Sequence, residues 1–445
     1  MARPEHRPLD PLAPEEGAAG GDAARPPRNP RTAVATIALL FFVAPLVLGL
    51  LGVSGGRVPG EPAARKPALS QGWDVFDTGA RYFAVQLPAR RRAIRANNWI
   101  SREVFGTTPV YGVTTADRSL PSGGVEPAEE PNAARTGGAE RGHPAEFRGL
   151  DGWTFLQADL DRNCHQPAAV GVALRRWKAL VDAIHASGRP TVLLLAPEKS
   201  TIYPERLGSR AINGDCALRK KARMWSRIEA ARDPYVVGLR RPLAARKRTS
   251  KQQLYLSVNS HWNDFGGVEL ARRALERVGG QATIQPGELV RGRARYASDL
   301  SRFTGETEYY TTATLTVRRD GVADPFVRPV GSAAVSTVAA TDAPMINGTT
   351  LFVGDSFGDA PLAMLRHYAT RMVSVNWQGA STAELVRLLK RADTVILEAV
   401  ERSFLGLPSD LPRADGGSIL TPELVSRLRL LRGPAGDPDR AARRR

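Results

Sequence analysis

Apolar runs and amphipathic segments alternate between Leu351 and Glu398, and this alternation constrains the fold more than any other feature of the sequence. Each apolar run has the length of a buried strand, and each intervening segment repeats its apolar residues at helical spacing. The predicted strands are 351–354, 372–375 and 394–398, and the predicted helices are 360–369 and 382–391. A βαβαβ run of this kind predicts a parallel sheet with helices on both faces.

The residues before this run continue the pattern and then interrupt it. A helix is predicted at 168–187, a strand at 191–196 and a helix at 217–231. From Gln281 to Asn347 the alternation gives way to Thr-, Tyr- and Val-rich runs and a turn at 319–321, which predict a β-hairpin insertion. The insertion either walls a substrate groove or is a structural excursion. The expected fold is a three-layer α/β/α sandwich with a parallel sheet and this insertion.

Ser356 follows the first of these strands, at a turn that opens a helix. Such a turn lifts a hydroxyl clear of the sheet and points the first free N–H groups of the helix at whatever the hydroxyl attacks. Gly354, Asp355 and Gly358 are expected to support the turn, and the N–H groups of Ser356 and Gly358 are candidate donors to an oxyanion. A serine nucleophile also needs a neighbouring base, which is usually a histidine.

His261 is the best candidate for this base among the six histidines. It follows an apolar alternation at 254–258, which predicts a strand end, and it precedes a helix capped by Asn263 or Asp264. Polar side chains at strand-to-helix junctions meet readily at the carboxyl edge of a parallel sheet. Ser356 and His261 are therefore predicted to form a nucleophile and its base.

The segments around these two residues resemble a known family. Residues 259–262 are similar to the Asp-x-His-Trp motif of the AlgJ/AlgX type of alginate O-acetyltransferases, and residues 354–357 are similar to its later Gly-Asp-Ser-Phe motif. Residues 150–156, 196–205 and 396–402 resemble further stretches of that family, in the same order. The resemblance implies an SGNH-hydrolase-like fold with a permuted order of motifs, in which the serine carries an acyl group as an ester.

The resemblance also implies roles for other residues and for partners. Trp262, Lys199, Tyr203 and Arg402 match positions in the family's motifs, and both substrate binding and internal packing or ion pairing are open for them. The implied substrate is an exported or cell-surface polysaccharide. The implied partner is a membrane acyltransferase that supplies acetyl groups. No coenzyme site is evident in the sequence.

Asn259 departs from the family's motif, because the family has the aspartate of the triad there. Asparagine can accept a hydrogen bond from His261, but it cannot offset the charge of an imidazolium. Asp264 and Asp355 are alternative partners for His261. The sequence therefore leaves three functions open: an O-acetyltransferase, an acetyl-esterase that uses the same serine, and a non-catalytic polysaccharide-binding scaffold.

Residues 33–53 form an uncharged apolar run that would be about 30 Å long as a helix, which is enough to cross a bilayer core. A polar tail precedes this run, so we expect an uncleaved anchor rather than a signal peptide. Nearby arginines favour a cytoplasmic N-terminus and an extracytoplasmic domain. Cys164 and Cys216 are the two cysteines, and a disulfide between them would suit an oxidising compartment, with two free thiols as the alternative.

The net charge of +17 comes mainly from arginines spread along the chain. Without a basic stripe that includes aromatic residues, this charge does not indicate a nucleic-acid-binding protein. No Cys/His ligand spacing is present, so no metal is implied.

The sequence predicts the following organisation: a disordered cytoplasmic tail (1–32), a transmembrane helix (33–53), a linker (54–73), a helical lead-in (74–113), a low-complexity insertion (114–146), an SGNH-like acyltransferase domain (147–405, with the β-rich insertion at 280–347) and a basic tail (406–445).

Overall fold

The computed structural model describes residues 66–76, 78–79, 82, 87, 90–104 and 146–405, except 166–168, 210, 305–306 and 378, together with Val43 and Val47. The two predicted tails, most of the low-complexity insertion, and the predicted span apart from the two valines lie outside these residues. Among the described residues, no helix combines the length and the apolar character that a membrane span requires.

The chain divides into two compact units, which are 1–56 with 66–89 and 57–65 with 90–445. In the first unit a 3-10 turn, Leu69–Gln71, precedes Trp73 and Phe76, whose rings stack with centroids 6.0 Å apart.

The second unit contains the α/β domain. Its helices are α1 (Arg90–Trp99), α2 (Gln157–Cys164), α3 (Val170–His185), α4 (Lys199–Ile202), α5 (Gly214–Ala231), α6 (Arg240–Thr249), α7 (Asp264–Val278), α8 (Asp359–Leu365), α9 (Thr382–Arg391) and α10 (Glu401–Leu405). Its strands are β1 (Glu146–Arg148), β2 (Thr154–Leu156), β3 (Thr191–Ala196), β4 (Val236–Gly238), β5 (Leu289–Ala297), β6 (Tyr309–Val317), β7 (Phe326–Val330), β8 (Ala333–Thr337), β9 (Ile346–Gly354), β10 (Ala369–Asn376) and β11 (Thr394–Val400).

Within the described residues, seven of these strands form one sheet in the order β4-β3-β11-β9-β10-β8-β7. The neighbours from β4 to β10 are parallel, whereas β8 runs antiparallel to β10 and β7 antiparallel to β8. The strand β9 is therefore central, with β10 on one side and β11 on the other. Ser356 follows directly on this central strand, at the carboxyl edge of the sheet.

Alternate residues of the central strands pack into two separate hydrophobic clusters, one on each face of the sheet. Val192 and Phe352 belong to the cluster that contains residues of α7, whereas Leu193 and Val353 belong to the cluster that contains residues of α3 and α9. The near-continuous apolar runs in the sequence follow from this burial on both faces.

The structure corrects two local predictions. Residues 254–258 form no strand, and the single ladder contact there is an isolated bridge between Tyr255 and Trp262. The carbonyl groups of Leu256 and Ser257 bond instead to Lys199, and that of Ser257 also to the N–H of Thr154. The predicted hairpin at the 319–321 turn is also absent, because β6 pairs back to β5, while β7 pairs with β8 and extends the main sheet.

Candidate active site

Ser356 opens a short 3-10 turn, Ser356–Gly358, directly after β9. The carboxylate of Asp355 holds this turn, accepting hydrogen bonds from the N–H groups of Phe357 and Val400, each 3.0 Å long. The N–H of Asp355 donates to Glu398 Oε2 at 2.9 Å. The turn is thus tied at several points to the end of β11, and the side chain of Ser356 remains half-buried.

The N–H groups of the two predicted oxyanion donors have different hydrogen-bond environments in the structure. The N–H of Gly358 donates to the carbonyl oxygen of Asp355 at 3.0 Å and is used within the turn. The N–H of Ser356 is at the first position of the turn, where a helix supplies no acceptor of its own. Ser356 therefore keeps the geometry of an oxyanion donor, while Gly358 has a packing role. A Cβ atom at Gly358 would lie 2.6 Å from the ring of Phe352.

His261 lies beside Ser356, with 2.7 Å between His261 Nε2 and Ser356 Oγ. Its other ring nitrogen, Nδ1, is 2.9 Å from Asn259 Oδ1, which also accepts the backbone N–H of His261 at 3.0 Å. Asn259 Nδ2 donates to the hydroxyl of Tyr310 at 3.3 Å, and the bond from the His261 N–H holds the amide oxygen on the side of the imidazole. These partners favour the tautomer with a proton on Nδ1 and a lone pair on Nε2 facing the serine.

The helix α7 fixes the position of this loop from its other end. Asn263 is its N-cap, and its side chain accepts hydrogen bonds from the N–H groups of Phe265 and Gly266. Of the two cap candidates in the sequence, Asn263 is therefore the one that caps. Asp264 points elsewhere, since its Oδ2 accepts the N–H of Leu315.

Asp299 is the functional candidate that sequence reasoning missed. Its Oδ2 lies 3.2 Å from His261 Nδ1. Its carboxylate also accepts the N–H of Ser260, at 2.9 Å, and the Ser260 hydroxyl. Burial alone would raise the pKa of Asp299, but the bonds from His261 and Ser260 outweigh burial and lower the pKa to about 2. The alternative partners suggested by the sequence, Asp264 and Asp355, make no such contact with His261.

Lys199 and Trp262 fix the loop that carries His261 through hydrogen bonds. Lys199 Nζ donates to the carbonyl oxygens of Leu256, Ser257 and Asn259 at 2.9, 3.0 and 2.7 Å. Trp262 Nε1 donates to the carbonyl oxygen of Phe357 at 2.9 Å and so connects the histidine loop to the serine turn. Burial lowers the pKa of Lys199 to about 7.

Tyr203 and Arg402 are also engaged within the protein. The hydroxyl of Tyr203 accepts the N–H of Leu254 at 3.0 Å, and Arg402 Nη1 pairs with Glu198 Oε1 at 2.5 Å. Lys199, Trp262, Tyr203 and Arg402 are all buried, so for these four residues the structure favours internal support over direct contact with a substrate.

A buried ionic network lies behind the serine turn. Lys221 pairs with Asp159 and lies 3.4 Å from Glu401, whose Oε2 accepts the N–H of Glu198 at 3.0 Å. Burial and the neighbouring Asp355 carboxylate raise the pKa of Glu398 well above its usual value, which favours its neutral form.

Cys164 and Cys216 form a disulfide that links the end of α2 to the first turn of α5. These are the helices that carry Asp159 and Lys221, so the disulfide and the buried ion pair connect the same two elements.

A doubly covered α/β sheet with a serine at its carboxyl edge is shared by several classes of serine hydrolase, and comparison with known proteins identifies the class here as SGNH-hydrolase-like. The family described as "SGNH hydrolase-like domain, acetyltransferase AlgX" matches residues 147–391, more than half of the chain. The chain belongs to this family.

Individual relatives are distant. The probable alginate O-acetylase AlgJ of Pseudomonas syringae pv. tomato is 26% identical over 170 residues, which are 36% of this chain and 42% of that protein. The O-acetyltransferase domain of Pseudomonas putida AlgJ is 18% identical, with 64% of this chain and 99% of that chain covered and a TM-score of 0.40. Pseudomonas aeruginosa AlgX is 15% identical, with 59% and 63% covered and a TM-score of 0.39.

Proposed function

We propose that this protein is an O-acetyltransferase that passes an acetyl group through an ester on Ser356 to a hydroxyl of a polysaccharide. The observation that carries the proposal is the 2.7 Å contact between His261 Nε2 and Ser356 Oγ, with His261 Nδ1 held 2.9 Å from Asn259 Oδ1. Membership of the acetyltransferase family supports the choice of acetyl transfer. The name of the AlgJ relative, an alginate O-acetylase, supports a polysaccharide acceptor.

The first half-reaction acylates the enzyme. Ser356 Oγ attacks the carbonyl carbon of an activated acetyl donor while His261 Nε2 takes the hydroxyl proton. The N–H of Ser356 stabilises the oxyanion that forms. As the tetrahedral intermediate collapses, His261 gives the proton to the leaving group, and acetyl-Ser356 remains.

The second half-reaction reverses these roles. A polysaccharide hydroxyl attacks acetyl-Ser356, and His261 takes its proton. Collapse of the second intermediate releases the acetylated sugar and returns the proton to Ser356. Water in place of the sugar hydroxyl would make the same site an esterase, because the chemistry is identical up to the acceptor.

The proposal places the domain outside the cytoplasm, anchored through residues 33–53, with a membrane acyltransferase as the donor of acetyl groups. The disulfide between Cys164 and Cys216 supports an oxidising compartment.

Intact mass spectrometry of the full chain with a chromogenic acetyl ester tests the proposal. The wild type is expected to gain one acetyl group and to lose it when an acceptor polysaccharide is added, with acetylated polymer as the product. Ser356→Ala should gain none, whereas Ser332→Ala, which removes an exposed hydroxyl bonded to Glu384, should behave as wild type. Release of acetate alone would favour the esterase. No Ser356-dependent acylation would leave a non-catalytic scaffold.

A further inference from the structure

We infer that Asp299 supplies the negative charge of this site, so that Asn259 and Asp299 share the two tasks of a single triad aspartate. In a Ser-His-Asp triad the aspartate sets the tautomer and orientation of the imidazole, and its charge stabilises the imidazolium that forms. This inference rests on the proposed function and adds a positioning residue to it. The residue lies in the β-rich insertion, outside the motifs in which the family resemblance was found.

Asn259 has the contacts needed for the first task. Its amide oxygen is 2.9 Å from His261 Nδ1 and also accepts the backbone N–H of His261, so ring and backbone are fixed together. The backbone N–H of His261 can only donate, so it requires the amide oxygen on the side of the imidazole, while Asn259 Nδ2 donates to Tyr310. Since the amide is neutral, however, these contacts provide orientation without charge.

Asp299 has the contacts needed for the second task. Its carboxylate is 3.2 Å from His261 Nδ1, and Ser260 donates to both of its oxygens through its N–H and its hydroxyl. The depressed pKa of about 2 keeps Asp299 ionised throughout the range in which a histidine titrates. Ionisable groups that contact the neighbours of His261 and Ser356 include Lys199 and Tyr310, which bond Asn259, and Asp355 and Arg402, which contact Phe357.

The neighbours of Asp299 hold its backbone in place. Ser298 donates its hydroxyl to the carbonyl oxygen of Val258 and its N–H to the carbonyl oxygen of Glu308, the latter at 2.7 Å. Leu300 is fully buried and packs with Leu156 and Phe303. Both flanks of Asp299 are thus fixed, and one of them is bonded to the loop that carries His261. A carboxylate positioned in this way requires little reorganisation when the imidazolium forms.

Three variants of the full chain test the inference through the rate of acetyl-enzyme formation at a series of pH values. Asp299→Asn is expected to slow acylation by about 100-fold, less than the roughly 10⁴-fold loss of an Asp-to-Asn change in a serine protease, because Asn259 still sets the tautomer. The acid limb of its pH profile should move to lower pH, because protonated His261 loses its carboxylate. Asn259→Asp alone should change the rate by less than about 3-fold, because the charge is already present.

The double variant Asn259→Asp/Asp299→Asn should recover at least about 10-fold over Asp299→Asn, because it restores a carboxylate beside Nδ1. Asp264→Asn is the matched control: Asp264 is also a partly buried carboxylate that accepts a backbone N–H, but it does not contact His261. It should retain the wild-type rate and pH profile. Thermal unfolding of every variant shows whether it is folded.

Two results would overturn the inference while leaving the proposed function intact: an Asp299→Asn enzyme with unchanged rate and acid limb, or an Asn259→Asp enzyme that is about 100-fold faster than wild type. The second result can be read even if Asp299→Asn fails to fold. If the wild type forms no acyl-enzyme, the proposed function fails. The ¹H resonance of the His261 Nδ1 proton, in protein labelled with ¹⁵N-histidine, then tests the contact between Asp299 and His261 without catalysis. It should shift in Asp299→Asn and stay unchanged in Asp264→Asn.

Discussion

Replacing Lys199 by methionine should destabilise the fold and slow acylation, although Lys199 touches neither Ser356 nor the ring of His261. Its Nζ donates to three carbonyl oxygens of the loop that carries Asn259 and His261. Methionine keeps an unbranched apolar side chain of similar length. The Lys199 Nζ also lies 5.4 Å from the ring centroid of Trp153 and 4.9 Å from that of Phe155. The substitution therefore removes the three hydrogen bonds of the ammonium and its contacts with these two rings.

The expected loss follows from the exposure of the three acceptors. A buried carbonyl left without a donor costs about 1–3 kcal/mol. Asn259 is buried, whereas Leu256 and Ser257 are half-buried and water can replace part of what they lose. Removing a buried ammonium also returns part of its desolvation cost. Together these effects predict a loss of about 2–4 kcal/mol in the free energy of unfolding.

The pH dependence of stability measures the burial of the Lys199 ammonium. The pKa of Lys199 falls from 10.5 to about 7 on folding, mainly through burial. Between these two values the unfolded chain binds the proton more tightly, so the stability of the wild type should rise as the pH rises through this window. Lys199→Met should lack this contribution, and its stability should fall furthest below the wild type toward the alkaline end of the window.

Urea unfolding followed by tryptophan fluorescence measures both effects, and the rate of acetyl-enzyme formation measures the effect on the site. Lys247→Met is the matched control, since Lys247 Nζ also bonds a backbone carbonyl, that of Ile202 at 2.6 Å, but from a more exposed position away from the histidine loop. Equal losses in the free energy of unfolding of the two variants, or a wild-type acylation rate in Lys199→Met, would refute the view that Lys199 holds this loop.

Three further outcomes are expected. Replacing Cys164 and Cys216 by serine should lower the free energy of unfolding in urea by up to about 4 kcal/mol, the loop-entropy value for cysteines 52 residues apart, without changing the acylation rate. A urea midpoint equal to that of the wild type would contradict this prediction. Trp262→Phe should lower the free energy of unfolding by about 1–3 kcal/mol and slow acylation, because the carbonyl of Phe357 loses its donor. A urea midpoint and an acylation rate both equal to those of the wild type would count against this prediction. Gly354→Ala should slow acylation by more than about 10-fold in the ester assay, because a Cβ there would lie 2.7 Å from Glu398 Oε2 and force the serine turn to move; an unchanged rate would show that the turn adjusts without cost.

Elements with strong local signals were predictable. The strand Thr191–Ala196 and the helix Thr382–Arg391 have the predicted bounds. The strand is an apolar run buried on both faces, and the helix has Ser381 as its N-cap, whose side chain accepts the N–H of Glu384. Ser356 and His261 could be paired because each lies just before a helix at the same edge of the sheet. In these places the local pattern and the tertiary environment agree.

The predictions failed where long-range contacts decide the backbone. The alternation at 254–258 suggested a strand, but the side chain of Lys199 and the N–H of Thr154 bond the carbonyl groups that a ladder would use. In the insertion, β5 has arginines at alternate positions and was not recognised as the partner of β6. Asp299 could not be found at all, because no local pattern connects it to a loop 39 residues earlier in the chain.

The sequence left two interpretations of the insertion, a wall of a substrate groove or a structural excursion. In the structure, residues of the insertion contact the candidate site directly. Tyr310 of β6 orients Asn259, and Asp299, which follows β5, reaches His261. If Asp299 supplies the charge, asparagine at position 259 does not by itself imply an inactive triad. A second carboxylate at 259 would then lie beside the first, and repulsion between them would offset much of what its charge adds. On this reasoning Asn259 and Asp299 form one functional arrangement, in which replacing Asp299 alone is less favourable than exchanging both residues.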